Sequence, residues 1–173
     1  MSRATGVGGV ADRREAAYEV LRGVMDPEVP ALSIVDLGIV RDVEVAGDQV
    51  TVVVTPTYSG CPAMQAIERE IVAVLADAGF PDARVRTVYW PPWTTDWISE
   101  DAKEKLRAYG VAPPGRVEPD EPVPLTPRRA RRVACPYCGS ADTEVRSAFG
   151  PTACKALWYC NECRQPFEHF KAI

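Results

Sequence analysis

Apolar positions change their period several times along this chain, and each change marks an element. From Asp12 onward, Ala16, Ala17, Val20, Leu21 and Val24 recur at helical spacing, and Asp12 followed by Glu15 reads as a capping-box start. This predicts an amphipathic helix laid on a sheet. It stops before Pro27, because proline disfavours helical geometry in the residue preceding it, and Glu28-Val29-Pro30 keeps the loop extended. The small, Gly-rich residues 1–11 ahead of the helix are expected to be disordered. In ALSIVDLGIVRDVEV the period shortens, with Ile39, Val40, Val43 and Val45 marking a strand. Gly47-Asp48 turns the chain into QVTVVVT, a second strand antiparallel to the first. A helical period returns at Met64, Ile67, Ile71, Val74, Leu75 and Ala78, with Gly79 placed to cap the C-terminus. Residues 84–89, RVRTVY, alternate as a strand and lead into Trp90-Pro91-Pro92-Trp93-Thr94-Thr95-Asp96-Trp97. Three tryptophans in eight residues suit either a hydrophobic flap over the first domain's core or a partner-binding patch. Ser99 caps a short helix ending near Tyr109-Gly110, and the first domain is expected to close near residue 112.

Residues 113–127 hold six prolines among acidic residues, a composition for extended, semi-rigid chain. The linker ends in RRARR at 128–132, a basic run that suits a partner-facing patch. With 173 residues, 46% hydrophobic and 25% charged, the chain has room for one ordinary domain and a small second one. The expected class is α+β: a small mixed-sheet α/β sandwich domain over 12–112, then a zinc-ribbon-like β domain over 133–173. The charge is divided unequally. Residues 1–100 carry 8 Lys+Arg against 15 Asp+Glu, a net −7, whereas 101–173 carry 12 against 9, a net +3. An acidic larger domain argues against nucleic-acid binding there, since phosphate contacts need a basic face. No stretch has the roughly 18 apolar residues of a membrane span, and the N-terminus lacks a signal-peptide core, so a cytoplasmic location is expected.

In a reducing cytosol six cysteines point to metal ligands or reactive thiols before disulfides. Four fall in two CxxC pairs, CPYCG at 135–139 and CNECR at 160–164. Two thiolates three residues apart hold one ion from a tight turn, and a second such turn completes a tetrahedron. Cys135, Cys138, Cys160 and Cys163 are therefore the expected ligands of a structural ion, zinc by preference, with iron compatible with the same thiolate set. A tail this short buries too little apolar area to fold unaided, so the metal supplies much of its folding free energy. Cys154 is surplus to that set, either a packing residue or an additional ligand for a transferred metal or cluster. His169, the only histidine, reads as a structural residue of the ribbon.

Cys61 stands apart from these, at the joint of TPTYSGCPAM where a β-branched strand turns into a helix. Pro62 suits the first helical position, which places Cys61 at or beside the N-cap. Free N–H groups and the helix dipole there favour a thiolate over a thiol, fitting Cys61 to bind a metal or attack an electrophile. The alternative is a small buried cysteine that fills space. Asp36 sits inside an apolar run before Gly38, so it either accepts hydrogen bonds from turn amides or joins a site with Cys61.

The chain resembles, almost end to end, the PaaD family of accessory subunits of bacterial phenylacetyl-CoA epoxidase systems. The resemblance rests on DPEVPALSIVDLGIV at 26–40, TPTYSGCPAM at 55–64 and WPPWTTDWIS at 90–99, and in the tail on CPYCGS, FGPTACKALWYC and CNECRQPFEHFK. Residues 12 to about 110 are similar to the iron-sulfur-assembly domain shared with SufT and the eukaryotic cytosolic cluster-targeting factors, and the tail to the family's zinc-ribbon extension. The family's reactive cysteine falls on Cys61, and its acidic loop positions on Asp26, Glu28 and Asp36. The resemblance implies a non-catalytic accessory protein that assembles or inserts iron-sulfur clusters, or matures other metal centres, in a multicomponent oxygenase. Its cargo would be a transient cluster or iron. Its partners would be the oxygenase and reductase subunits and cluster-assembly scaffold proteins, without membrane or nucleic acid. The residues agree that redox catalysis lies elsewhere: paired ExxH segments, a GxGxxG loop and a plant-type ferredoxin cysteine run are all missing from the sequence. Two other readings are a thiol enzyme with Cys61 as nucleophile, which lacks an adjacent base, and a nucleic-acid-binding ribbon carried by RRARR, which lacks a basic domain surface.

Overall fold

A computed structural model describes residues 9–116 and 132–173. The Pro-rich segment and basic run expected over 113–132 therefore lie mostly outside the described residues, as do residues 1–8. The chain divides into two compact units, residues 1–92 and 93–173.

In the first unit, α1 (Val10–Leu21) begins two residues earlier than Asp12. Gly9 occupies the N-cap, and the Asp12 carboxylate reaches back to accept the Gly9 N–H at 3.0 Å. Asp12 thus supplies the returning half of a capping box and is not its first residue. The hairpin forms as the alternation predicts: β1 (Val40–Ala46) runs antiparallel to β2 (Gln49–Val54) around Gly47, which has φ 61°. Val40 and Val43 both face inward although they are three apart, because a bulge between Val40 and Asp42 resets the alternation.

α2 (Met64–Asp77) then crosses over to β3 (Arg84–Thr87), which joins β2 in parallel, so the sheet is mixed with the order β1-β2-β3. α2 ends in a Schellman motif. Gly79 at φ 92° lets its own N–H reach Ala76 C=O and the Phe80 N–H reach Leu75 C=O. The two helices pack on each other, α1 against β1 and α2 against β3. Ala17 and Leu21 of α1, Val43, Val50 and Val52 of the hairpin, and Ile67, Ile71 and Leu75 of α2 are buried.

The second unit includes twenty residues that the sequence places with the first. α3 (Glu100–Tyr109) is capped by the Ser99 hydroxyl at one end and by Gly110, φ 91°, at the other, as its sequence predicts. Its exit, however, is β4 (Val111–Ala112), which pairs in parallel with β7 (Pro166–Phe170). Between them in sequence lie β5 (Thr143–Ser147) and β6 (Lys155–Cys160), giving the sheet order β4-β7-β6-β5. Trp93 is buried and meets the Phe170 ring at 6.2 Å, and the Thr95 N–H donates to the Ile173 C=O at 3.0 Å. These contacts move the boundary from 112 back to 92. The tryptophans accordingly do not act as one flap: Trp93 is core to the second unit, whereas Trp90 is 84% exposed.

Candidate metal centre and the Cys61 turn

The two CxxC turns are built alike. In the first, the Cys135 C=O accepts the Gly139 N–H at 2.9 Å, and Gly139 leaves the turn at φ 75°. In the second, Arg164 takes the equivalent place after Cys163, at φ 59°. Cys135 and Cys160 are buried in a core with Ala112, Ala156, Trp158 and Phe167, whereas Cys138 is exposed. Sγ of Cys135 lies 3.6 Å from Sγ of Cys163, Cys138 is 3.6 Å from Cys160, and all four sulfurs fall within 4.8 Å of one another. A tetrahedral ion with sulfur at about 2.3 Å requires sulfur-to-sulfur edges of about 3.8 Å, whereas a disulfide needs about 2.05 Å. The spacing therefore fits four ligands of one tetrahedral ion, which would supply the folding free energy that this small core lacks.

As thiols the four are unequal. The Cys163 backbone N–H directed at Cys160 is the largest influence holding the Cys160 pKa down at about 7, while desolvation pushes Cys163 up to about 12. His169 packs edge-on to Trp158 at 5.8 Å, and burial lowers its pKa to about 4, so it is neutral at pH 7, as suits a structural residue. Cys154 stands outside the four-sulfur set. It is buried, 3.1 Å from the Thr152 hydroxyl, and its C=O accepts the Lys171 N–H.

Cys61 is half-buried in the turn between β2 and α2. Gly60 at φ 88° reverses the chain, the Cys61 N–H donates to Tyr58 C=O, and the Cys61 C=O accepts the Met64 N–H at 3.3 Å. The N-cap is Ala63, not Cys61, because this tight i to i+3 bond inserts one extra turn at 61–64 ahead of α2. No side chain caps α2, so its N-terminal end is left uncapped behind that turn.

The acidic residues are committed to local turns. Asp26 is buried, and its Oδ1 accepts the N–H groups of Glu28 and Val29, each at 2.8 Å. Asp36 Oδ2 accepts the Ser33 N–H at 3.1 Å while Ser33 Oγ accepts the Asp36 N–H at 3.0 Å, a reciprocal box that closes the turn before β1. This is the amide-bonding reading of Asp36. Glu28 is half-buried, and its backbone N–H is one of the two that Asp26 accepts. Among the described residues, the ribbon thiols form the one convergent set of three or more Cys, His, Asp or Glu ligand atoms; Cys61, Asp26, Glu28, Asp36 and Cys154 are not gathered into one. Sequence reasoning misses Arg164, although aligning the two CxxC turns on Gly139 exposes it. It also misses Thr55, whose Oγ1 is buried without a hydrogen bond where β2 leaves for the Cys61 turn.

These features, a small mixed-sheet α/β unit followed by a β unit that gathers four thiols, match two known families in succession. The profile of the iron-sulfur cluster assembly protein family matches residues 14–90, and that of the PaaD zinc beta ribbon domain matches 119–171. The chain belongs to the PaaD family. It is 42% identical over 156 residues, 90% of this chain and 91% of the relative, to a putative 1,2-phenylacetyl-CoA epoxidase subunit of Escherichia coli K12. The Fe-S protein maturation auxiliary factor YitW of Bacillus subtilis 168 is 39% identical over 95 residues, covering 54% of this chain and 92% of that protein. The crystal structure of a domain of unknown function, DUF59, from Bacillus anthracis superposes with a TM-score of 0.52 at 31% identity, over 56% of this chain and 92% of that one. No helix among the described residues is long and apolar enough to cross a membrane.

Proposed function

We propose that this chain is an auxiliary factor that assembles or inserts the iron-sulfur clusters, or other metal centres, of a phenylacetyl-CoA epoxidase, and that it is not itself the catalyst. The observation that carries this reading is the similarity to the E. coli epoxidase subunit over 90% of the chain, because the maturation factor YitW matches only 54% of it. Cys61, half-exposed at the head of the uncapped α2, is the residue suited to hold iron or a cluster transiently. Asp26 and Asp36 support that transfer by holding their turns in shape through backbone hydrogen bonds, and Glu28 by its carboxylate on the same loop as Asp26. Cys135, Cys138, Cys160 and Cys163 hold a structural zinc, with iron able to occupy the same tetrahedron, and Cys154, at the other end of β6 from Cys160, is a packing residue. The ribbon presents the factor to its clients, the oxygenase and reductase subunits, and the assembly domain receives cargo from a cluster scaffold. Anaerobic reconstitution with iron and sulfide, followed by absorption and Mössbauer spectra, tests this. Wild type is expected to bind iron at a second site beyond the ribbon, and Cys61→Ser to lose that site while keeping the ribbon ion. Equal iron content in the two proteins would overturn the role of Cys61.

A further inference from the structure

Among the described residues the two sheets end in β1, β3, β4 and β5, and β3 is the edge that is both regular and longer than two residues. β1 and β5 each carry a bulge, between Val40 and Asp42 and between Val145 and Ser147, and on β1 the Asp42 carboxylate accepts the Val43 N–H at 2.8 Å. β3 keeps an unbroken register with β2, and no described strand pairs with its other side. The Val88 N–H donates to the Val54 C=O at 2.8 Å. Backbone groups of successive strand residues point to opposite edges, so those of Val85 and Thr87 are directed outward. Beside this edge runs a groove of about 660 Å³ with Val72 and Ala73 of α2 and Val85 of β3 as its apolar floor, and with Glu68 and Arg69, of opposite sign, on its rim. Val72 is 39% exposed there.

We propose that the outer edge of β3 binds an extended segment of a partner protein by strand addition, a segment whose side chains alternate between acidic and apolar. The outward N–H and C=O groups of Val85 and Thr87 supply the backbone pairing, and the groove receives every second side chain, apolar to match Val72, Ala73 and Val85. The intervening side chains fall on the opposite face, where Arg84 and Arg86 are exposed and favour carboxylates across the strand pair. Arg86 already pairs with the Glu44 carboxylate of β1 on that face. A second copy of this chain is the wrong occupant, because antiparallel pairing at near-full overlap sets the arginines of one edge against those of the other. The surface uses neither Cys61 nor the ribbon thiols, so it stands or falls separately from the maturation reading.

The test is a titration of the full, zinc-loaded chain, by calorimetry and amide chemical shifts, with three end-blocked peptides: TVEVEVT, its basic counterpart TVKVKVT, and TVVEEVT, which has the same residues out of alternation. The first should saturate at one per chain, at least about tenfold tighter than the basic peptide and about threefold or more tighter than the rearranged one. Its binding should shift the Val85 and Thr87 amides and slow their hydrogen exchange, a signature of pairing that loose charge attraction does not produce. Arg84→Glu, at an exposed position, should leave the melting temperature unchanged, weaken the acidic peptide about fivefold or more and strengthen the basic one. Val72→Gln, at an exposed helix position, should weaken TVEVEVT about threefold or more. Absence of saturable binding, equal affinity for any two of the peptides, or Val85 and Thr87 amides that do not respond would overturn the proposal. A dimer in sedimentation whose β3 amides are protected without peptide would overturn it too, by giving the edge to a second copy.

Discussion

Gly139 and Arg164 hold the same left-handed backbone at the same place in the two cysteine turns, at φ 75° and 59°, one with the residue suited to it and one without. A non-glycine residue there costs roughly 1–2 kcal/mol, against about 0.5–1 kcal/mol for the greater freedom glycine loses on folding. A Cβ at Gly139 meets nothing within 4 Å, so no steric clash adds to that balance. Gly139→Ala should destabilise the metal-loaded ribbon by up to about 1.5 kcal/mol, whereas Arg164→Gly should be neutral or stabilising by up to about 1.5 kcal/mol. Thermal unfolding of the two variants side by side checks the opposite signs.

Cys135→Ser or Cys163→Ser removes one of four ligands from a unit whose core is the ligand cluster itself. Loss of the ion should unfold residues 93–173, with α3 included because β4 ties it to β7, while residues 9–92 keep their structure. Hydrogen exchange resolved by segment would show this, and protection lost across both units together would contradict it. Wild type should hold about one tightly bound ion per chain by metal analysis.

Acid should weaken the second unit by two routes of the same sign. Ligation needs thiolates, so metal affinity falls with pH, most steeply below the Cys160 pKa of about 7. His169 has a folded pKa near 4, below its ordinary 6.5, because burial penalises the charged ring. The unfolded chain then binds the extra proton between those values, so stability rises with pH across that window and is lost as pH falls through it. His169→Phe, which keeps the ring against Trp158, should reduce the loss between pH 7 and pH 4.5 by an amount on the order of 1–3 kcal/mol. Paired denaturant melts at the two pH values provide the difference.

Cys61→Ala should separate function from folding. A half-buried cysteine at a loop joint leaves little cavity, a cost of no more than about 1–2 kcal/mol, whereas a methyl group cannot ligate iron. Cells carrying the variant are expected to lose epoxidase activity while the protein's melting temperature shifts by only a few degrees. Normal turnover and normal cluster content in the client would reduce Cys61 to a packing residue.

Local elements were legible in the residues because an amphipathic period reports which face of a helix or strand is buried. The hairpin around Gly47, the Schellman end of α2 at Gly79 and the Ser99-to-Gly110 limits of α3 all follow from periodicity and caps within a few residues. The two CxxC turns were equally plain, since three-residue spacing is itself the geometry of a turn that offers two sulfurs to one ion. Tertiary structure decided what no local period carries. A two-residue strand has too few positions to show alternation, so the pairing of Val111–Ala112 with Glu168–His169 was invisible, and with it the unit boundary after Pro92. Whether Trp93 seals one core or another depended on Phe170, 77 residues away in the chain. The 3.6 Å approach of Cys135 to Cys163 and the burial of Cys135 and Cys160 against Trp158 and Phe167 likewise arise from where segments meet, which packing fixes and composition does not record.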